Sequence, residues 1–102
     1  MTQGNAVLVV QVEIDPADEE EFNRWYDEEH VPEKLATPGF LGARRFRVSD
    51  GGPRYLVIYE LEDADAATSP EYMSQQATEW GASIMARWKT WSRDVWVDLR
   101  TS

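Results

Sequence analysis

The sequence predicts an α+β fold: a four-stranded antiparallel sheet with two helices packed on one of its faces. Three observations lead there. Four runs alternate in hydrophobicity with the two-residue period of strands, two segments open with an Asp-Pro or Ser-Pro helix start, and a Gly-rich turn joins the middle two strands. The order is β-α-β-β-α-β, and right-handed crossovers place both helices on the same side of the sheet.

The first strand runs from Ala6 to Ile14, with Leu8, Val10, Val12 and Ile14 on one face and Val7, Val9, Gln11 and Glu13 on the other. Both faces are partly apolar, as in a central strand. Asp15 then offers a capping side chain, Pro16 a pre-set first helical residue, and Asp18 to Glu21 a run of acids near the positive end of the helix dipole. The apolar stripe Phe22, Trp25, Tyr26 continues to His30. Because Pro32 disfavours helical geometry for Val31, the helix is expected to end near His30, with at most one further turn before Pro38-Gly39.

Phe40 to Val48 reads as the second strand, with Phe40, Gly42, Arg44, Phe46 and Val48 facing one way and Leu41, Ala43, Arg45 and Arg47 the other. The turn Asp50-Gly51-Gly52-Pro53 leads into the third strand, Arg54 to Glu62, which gathers Tyr55, Val57, Tyr59 and Leu61 on one face. Ser69-Pro70-Glu71 opens the second helix, continued by Tyr72, Met73, Gln76, Ala77 and Trp80, with Gly81 as the expected point of a kink or split. Trp91 to Arg100 closes the sheet, with Trp91, Arg93, Val95 and Val97 alternating against Trp96 and Asp98. Whichever register is right, the sheet face away from the helices carries a mixture of Val, Tyr, Phe, Trp and Arg. Pairing two such faces would bury it, so a homodimer is expected.

The 102 residues, 42% of them hydrophobic, suit one domain spanning 1–102. Nineteen Asp and Glu against ten Lys and Arg give a charge of -9, the wrong sign for holding nucleic acid or an anionic membrane. No run of about twenty apolar residues offers a membrane span. The opening stretch from Met1 lacks a basic region and reads as the approach to a strand, not as a signal peptide. The chain has no Cys, hence no disulfide, thiolate nucleophile or thiolate metal site, which suits a cytoplasmic protein.

His30 is the only histidine, and its unperturbed pKa places it within reach of acid or base work. It also has an ordinary structural reading, as a helix cap or the end of the core stripe. Nothing in its spacing to the carboxylates of the first helix forms a metal-ligand pattern, so no metal is expected, and those acids read as a solvated face. Arg44, Arg45 and Arg47 read either as binders of a ligand oxygen or as ion-pair partners of the acidic helix. The aromatic load divides in the same way. Tyr55, Tyr59, Trp80, Trp88, Trp91 and Trp96 are either core or the walls of an apolar cavity.

The stretch Glu21-Phe22-Asn23-Arg24-Trp25-Tyr26-Asp27-Glu28-Glu29-His30-Val31-Pro32, followed by Pro38-Gly39-Phe40 and later by Ser69-Pro70-Glu71-Tyr72 and Trp80, resembles the EthD-like branch of the dimeric α+β barrel superfamily. That resemblance implies a ferredoxin-like subunit, pairing through its open sheet face, with a ligand site between sheet and helices. It matches the family's helix-terminal histidine to His30. Relatives in the superfamily include ring-degradation proteins, monooxygenases without metal or flavin, polyketide cyclases and haem-handling enzymes.

The expected function is thus a cofactor-free enzyme acting on an aromatic or polyketide-like substrate. His30 would be its acid or base, and Tyr26, Tyr59 or Arg45 would orient an oxygen. Trp25, Tyr55, Trp80, Trp88 and Trp96 would contact the substrate. The alternatives are a module that binds a hydrophobic metabolite or supports a partner oxidoreductase, and a haem protein with His30 as axial ligand.

Overall fold

The computed structural model describes residues 4–101. Met1 to Gln3, the start of the stretch read as the approach to a strand, lie outside the described residues. The sheet has the order β2-β3-β1-β4, from β1 (Ala6–Glu13), β2 (Phe40–Arg47), β3 (Arg54–Leu61) and β4 (Thr90–Val97), with every neighbouring pair antiparallel. This is the ferredoxin-like α+β arrangement expected from the sequence. Leu8, Val12, Val57, Tyr59 and Leu61 point into the core beneath the helices, and Leu61 is fully buried.

Both cap-and-proline starts form as the sequence directs. Asp15 accepts a hydrogen bond from the Ala17 N–H at 2.9 Å, and a single 3-10 turn leads into α1 (Glu19–Trp25). The further turn allowed for Val31 to Thr37 is present, but the helix has no end at His30, which corrects that part of the expectation drawn from Pro32. Residues Tyr26–His30 form one wide π turn, and the chain continues as α2 (Val31–Leu35) with Val31 at φ -64° and ψ -47°. The Val31 N–H donates to the Tyr26 carbonyl five residues back. Pro32 supplies the reason: its ring crowds the carbonyl four residues earlier in an ordinary helix, and the wider turn gives that carbonyl room.

Two further departures are local. A register shift between Phe40 and Gly42 puts Phe40 opposite Leu61 and Ala43 opposite Tyr59, so Phe40 shares the helix-facing side with Ala43, Arg45 and Arg47. Strict alternation had placed it on the other face. The second helical stretch splits upstream of Gly81, into α3 (Pro70–Met73) and α4 (Glu79–Met85), joined by a non-helical link in which Gln75 to Thr78 lie. Thr78 caps α4 by accepting from the Gly81 N–H at 3.0 Å, while the Gln75 side chain binds Thr37 and Lys34. Those contacts engage the Gln75 side chain and the Thr78 hydroxyl outside any helix. Gly39, at φ 90°, turns the chain into β2 where a Cβ would come within 2.6 Å of the Ala66 methyl, so only glycine fits.

Candidate functional site

A cavity of about 360 Å³ lies between the inward sheet face, the α1–π–α2 helix and the link before α4. Leu8 and Val10 form its floor. Trp25, Tyr26 and His30 come from the helical wall, Tyr59 from β3, Tyr72 from α3, Trp88 and Trp91 from the approach to and start of β4.

The π turn sets the geometry of the helical wall. Residues five apart on an α-helix diverge by about 140° at 3.6 residues per turn, and so cannot stack. Here the His30 ring lies 4.2 Å from the Trp25 ring at 22°, and 5.0 Å from Tyr26 at 87°. Trp25 is itself held by its indole N–H, which donates to Glu29 at 2.7 Å, and Glu29 also accepts from Thr78 at 2.6 Å.

Burial dominates the protonation of this wall. Desolvation, reinforced by the positive charges of Lys34 and Arg45, pushes His30 down to about 3, so its imidazole is neutral at physiological pH. Its Nδ1 stands 4.0 Å from a Glu33 carboxylate oxygen. Burial likewise raises Tyr26 and Tyr59 well above the ordinary phenol value, so both keep their protons. Two of the lining residues carry a buried polar atom with no hydrogen-bond partner among the described residues: the Tyr59 hydroxyl and the Trp88 indole N–H. Each such group costs about 1–3 kcal/mol when left unpaired.

Of the nine side chains assigned to a site from the sequence, His30, Tyr26, Tyr59, Trp25 and Trp88 line this cavity together. The structure places the other four elsewhere. Arg45 lies between β2 and the first helical segment, 2.7 Å from Asn23, 3.1 Å from Asp27 and 4.4 Å from the centre of the Tyr26 ring. Tyr55 donates to Glu19 and accepts from Asn23, Trp80 donates to Glu21 under the Arg24 guanidinium, and Trp96 is exposed on the open sheet face.

The acids of the first helix are not a purely solvated face. Glu19 pairs with Arg47, and Arg87 joins Asp18 and Glu21, which draws both glutamates below the usual carboxylate range through their hydrogen bonds. Cavity residues missed in the sequence include Glu29, Glu33, Lys34, Tyr72 and Arg93. For Arg93 the signal was present, since alternation along β4 sets it between Trp91 and Val95 on the inward face.

Fold and cavity together define a ferredoxin-like α+β protein with an aromatic-walled internal site. The chain belongs to the family described as "Domain of unknown function (DUF4286)", whose model matches residues 5–97. A comparison with curated proteins finds no match. Among solved structures it is similar to a dimeric ferredoxin-like protein from an uncultured marine organism, with TM-score 0.74 and 12% identity over 95% of this chain and 90% of that one. It is similar to a monooxygenase from the gene ActVA-Orf6 of Streptomyces coelicolor, in complex with nanaomycin D, with TM-score 0.73 and 16% identity over 92% and 87% of the two chains. A third is a variant of SnoaB, a cofactor-independent oxygenase from Streptomyces nogalater, with TM-score 0.66, 18% identity and 93% of each chain covered. At these identities the likeness speaks for the fold. Among the described residues no helix is long and apolar enough to cross a membrane.

Proposed function

We propose that the chain is a small-molecule enzyme that moves a proton beside a carbonyl or phenol of an aromatic, polyketide-like substrate, in this cavity and without a cofactor. The observation that carries the reading is that one aromatic-walled cavity is lined by a neutral His30 together with Tyr59 and Trp88, whose polar hydrogens have no partner among the described residues. The EthD-like helix motif and the oxygenases among the structural neighbours support the same reading.

The two donors suit a substrate oxygen on which negative charge develops. His30 takes the proton from the adjacent C–H or O–H. The burial that keeps the imidazole neutral also makes it a weak base toward water. The substrate enolate formed as the proton arrives supplies the missing counter-charge, so transfer and charge formation proceed together. The resulting carbanion can be reprotonated elsewhere, attack within its own chain, or react with oxygen. In that last case a CH2 group and O2 become a carbonyl and water, the substrate itself supplying the electrons.

The open sheet face, with Val7, Val9, Leu56 and Ile58 half-buried and Phe46 and Trp96 exposed, supports pairing into a homodimer. Native mass spectrometry reads the subunit count, and Trp96→Glu is expected to shift it to monomer.

The function is tested by following exchange of the α-hydrogens of 1-tetralone in D2O by NMR. The protein is expected to accelerate exchange, and folded His30→Gln to lose at least about tenfold of that acceleration, the lower end of a general-base contribution. Unchanged exchange with folded His30→Gln would sink the acid–base role. Binding of the ketone with no exchange would favour a carrier module, and a Soret band on adding haem would favour the haem reading.

A further inference from the structure

The cavity contains a guanidinium that, among the described residues, no carboxylate pairs with. Arg93 stands on the inward face of β4, in register with Val10, and lines the cavity. Its Nη2 donates to the Ala67 carbonyl at 2.8 Å, and its guanidinium carbon lies 5.2 Å from the centre of the Tyr72 ring. Those are neutral partners. Among the described residues Arg93 forms no ion pair, although the chain has 19 Asp and Glu, and Arg45, Arg47 and Arg87 each meet a carboxylate of the first helical segment.

Lys34 approaches the same Tyr72 ring, its Nζ 4.8 Å from the centre, 2.6 Å from Gln75 Oε1 and 3.8 Å from Glu33. The remaining cavity carboxylate, Glu29, is engaged by Trp25 and Thr78. The protein thus keeps its own acids off Arg93, and the guanidinium retains N–H donors in the fork geometry that matches a carboxylate.

We infer that Arg93, assisted by Lys34, forms an anion subsite for the carboxylate of an aromatic acid, whose ring lies among Tyr72, Trp88 and Trp91. This rests on the cavity being the substrate site and narrows the substrate class to aromatic acids. The net charge of -9 repels an anion at long range, so the preference arises at contact. Glu33 dilutes the contribution of Lys34, which leaves Arg93 the dominant partner.

The test is isothermal titration of the full chain at pH 7 with 3-hydroxy-2-naphthoate and with its uncharged carboxamide. The acid is expected to bind at least about tenfold tighter, as a charge-assisted pair in a partly buried site allows. Arg93→Gln should abolish that preference while leaving carboxamide affinity within about twofold, and Arg93→Lys should keep part of it. Equal affinities in the unaltered protein overturn the anion subsite whether or not the variants fold, and leave the cavity standing as a ligand site. No heat from either probe at millimolar concentration overturns both.

Discussion

The imidazole of His30 is stacked on the indole of Trp25, five residues earlier in the same helical segment, at 4.2 Å and 22°. Only the π turn over Tyr26–His30 makes such a pair possible, and Pro32 is the residue that disfavours the tighter turn. Replacing Pro32 by Ala restores an N–H that can bond to the Glu28 carbonyl, so the segment is expected to tighten to an α-helix and swing His30 away from Trp25. Nuclear Overhauser contacts between the two rings should vanish while the variant stays folded, and ketone exchange should fall at least about tenfold, the lower end of the base's contribution. Contacts and activity that both survive would show that another residue holds the turn.

The buried histidine makes stability depend on pH in a defined window. Its folded pKa of about 3 lies below the unfolded 6.5, so between those values the unfolded chain binds a proton that the folded chain refuses. Stability therefore falls as pH falls from 6.5 towards 3, with a slope of at most about 1.4 kcal/mol per pH unit for one proton. Glu19 and Glu21, held below 4.5 by their arginine partners, add a loss of the same sign, but only below pH 4.5. Urea unfolding at pH 7, 6 and 5 isolates His30, and His30→Gln should flatten the dependence there. An equally steep dependence in that variant would assign it to other groups.

Tyr59 gives a test in which stability and binding part company. A buried tyrosine with a bonded hydroxyl loses about 0.5–1.5 kcal/mol on conversion to Phe. The Tyr59 hydroxyl has no partner among the described residues, so Tyr59→Phe is expected to leave stability unchanged or raised. Binding of an aromatic ketone should weaken by about three- to tenfold, the worth of one neutral hydrogen bond. A marked loss of melting temperature would mean that the hydroxyl is bonded inside the ligand-free protein.

The order of elements was legible because its signals are local: Asp15-Pro16, Ser69-Pro70, the Asp50–Pro53 turn, and alternation along β1, β3 and β4. What was not legible depends on contacts distant in sequence. Ser74, Gln75, Gln76 and Ala77 contain no helix breaker, yet the helix stops there, with Gln75 bound to Thr37 and Lys34 and Thr78 capping a new start. The cavity was half legible. Its aromatic wall follows from the helix stripe and the Tyr59 face, whereas Glu29, Glu33 and Lys34 carry charges that sequence reasoning assigns to solvent. Arg45 drew attention as part of a basic cluster, but its cluster serves the acidic helix, and the cavity arginine is the solitary Arg93.

Gly81 in α4 tests how firmly the Trp25 wall is set. Exchanging glycine for alanine within a helix ordinarily gains about 1 kcal/mol. At this position a Cβ would stand 3.2 Å from both Cζ2 and Nε1 of Trp25 and 3.4 Å from the Thr78 hydroxyl. Trp25 is 1% exposed, tied to Glu29 and stacked on His30, contacts that resist the shift a new methyl would demand. Overpacking of about 1–3 kcal/mol therefore outweighs the helical gain, and Gly81→Ala is expected to destabilise by about 1 kcal/mol. For a domain of this size that lowers the melting temperature by about 4–8 °C, measurable by calorimetry. A melting temperature at or above that of the parent would mean that Trp25 can move, and with it the histidine stacked beneath.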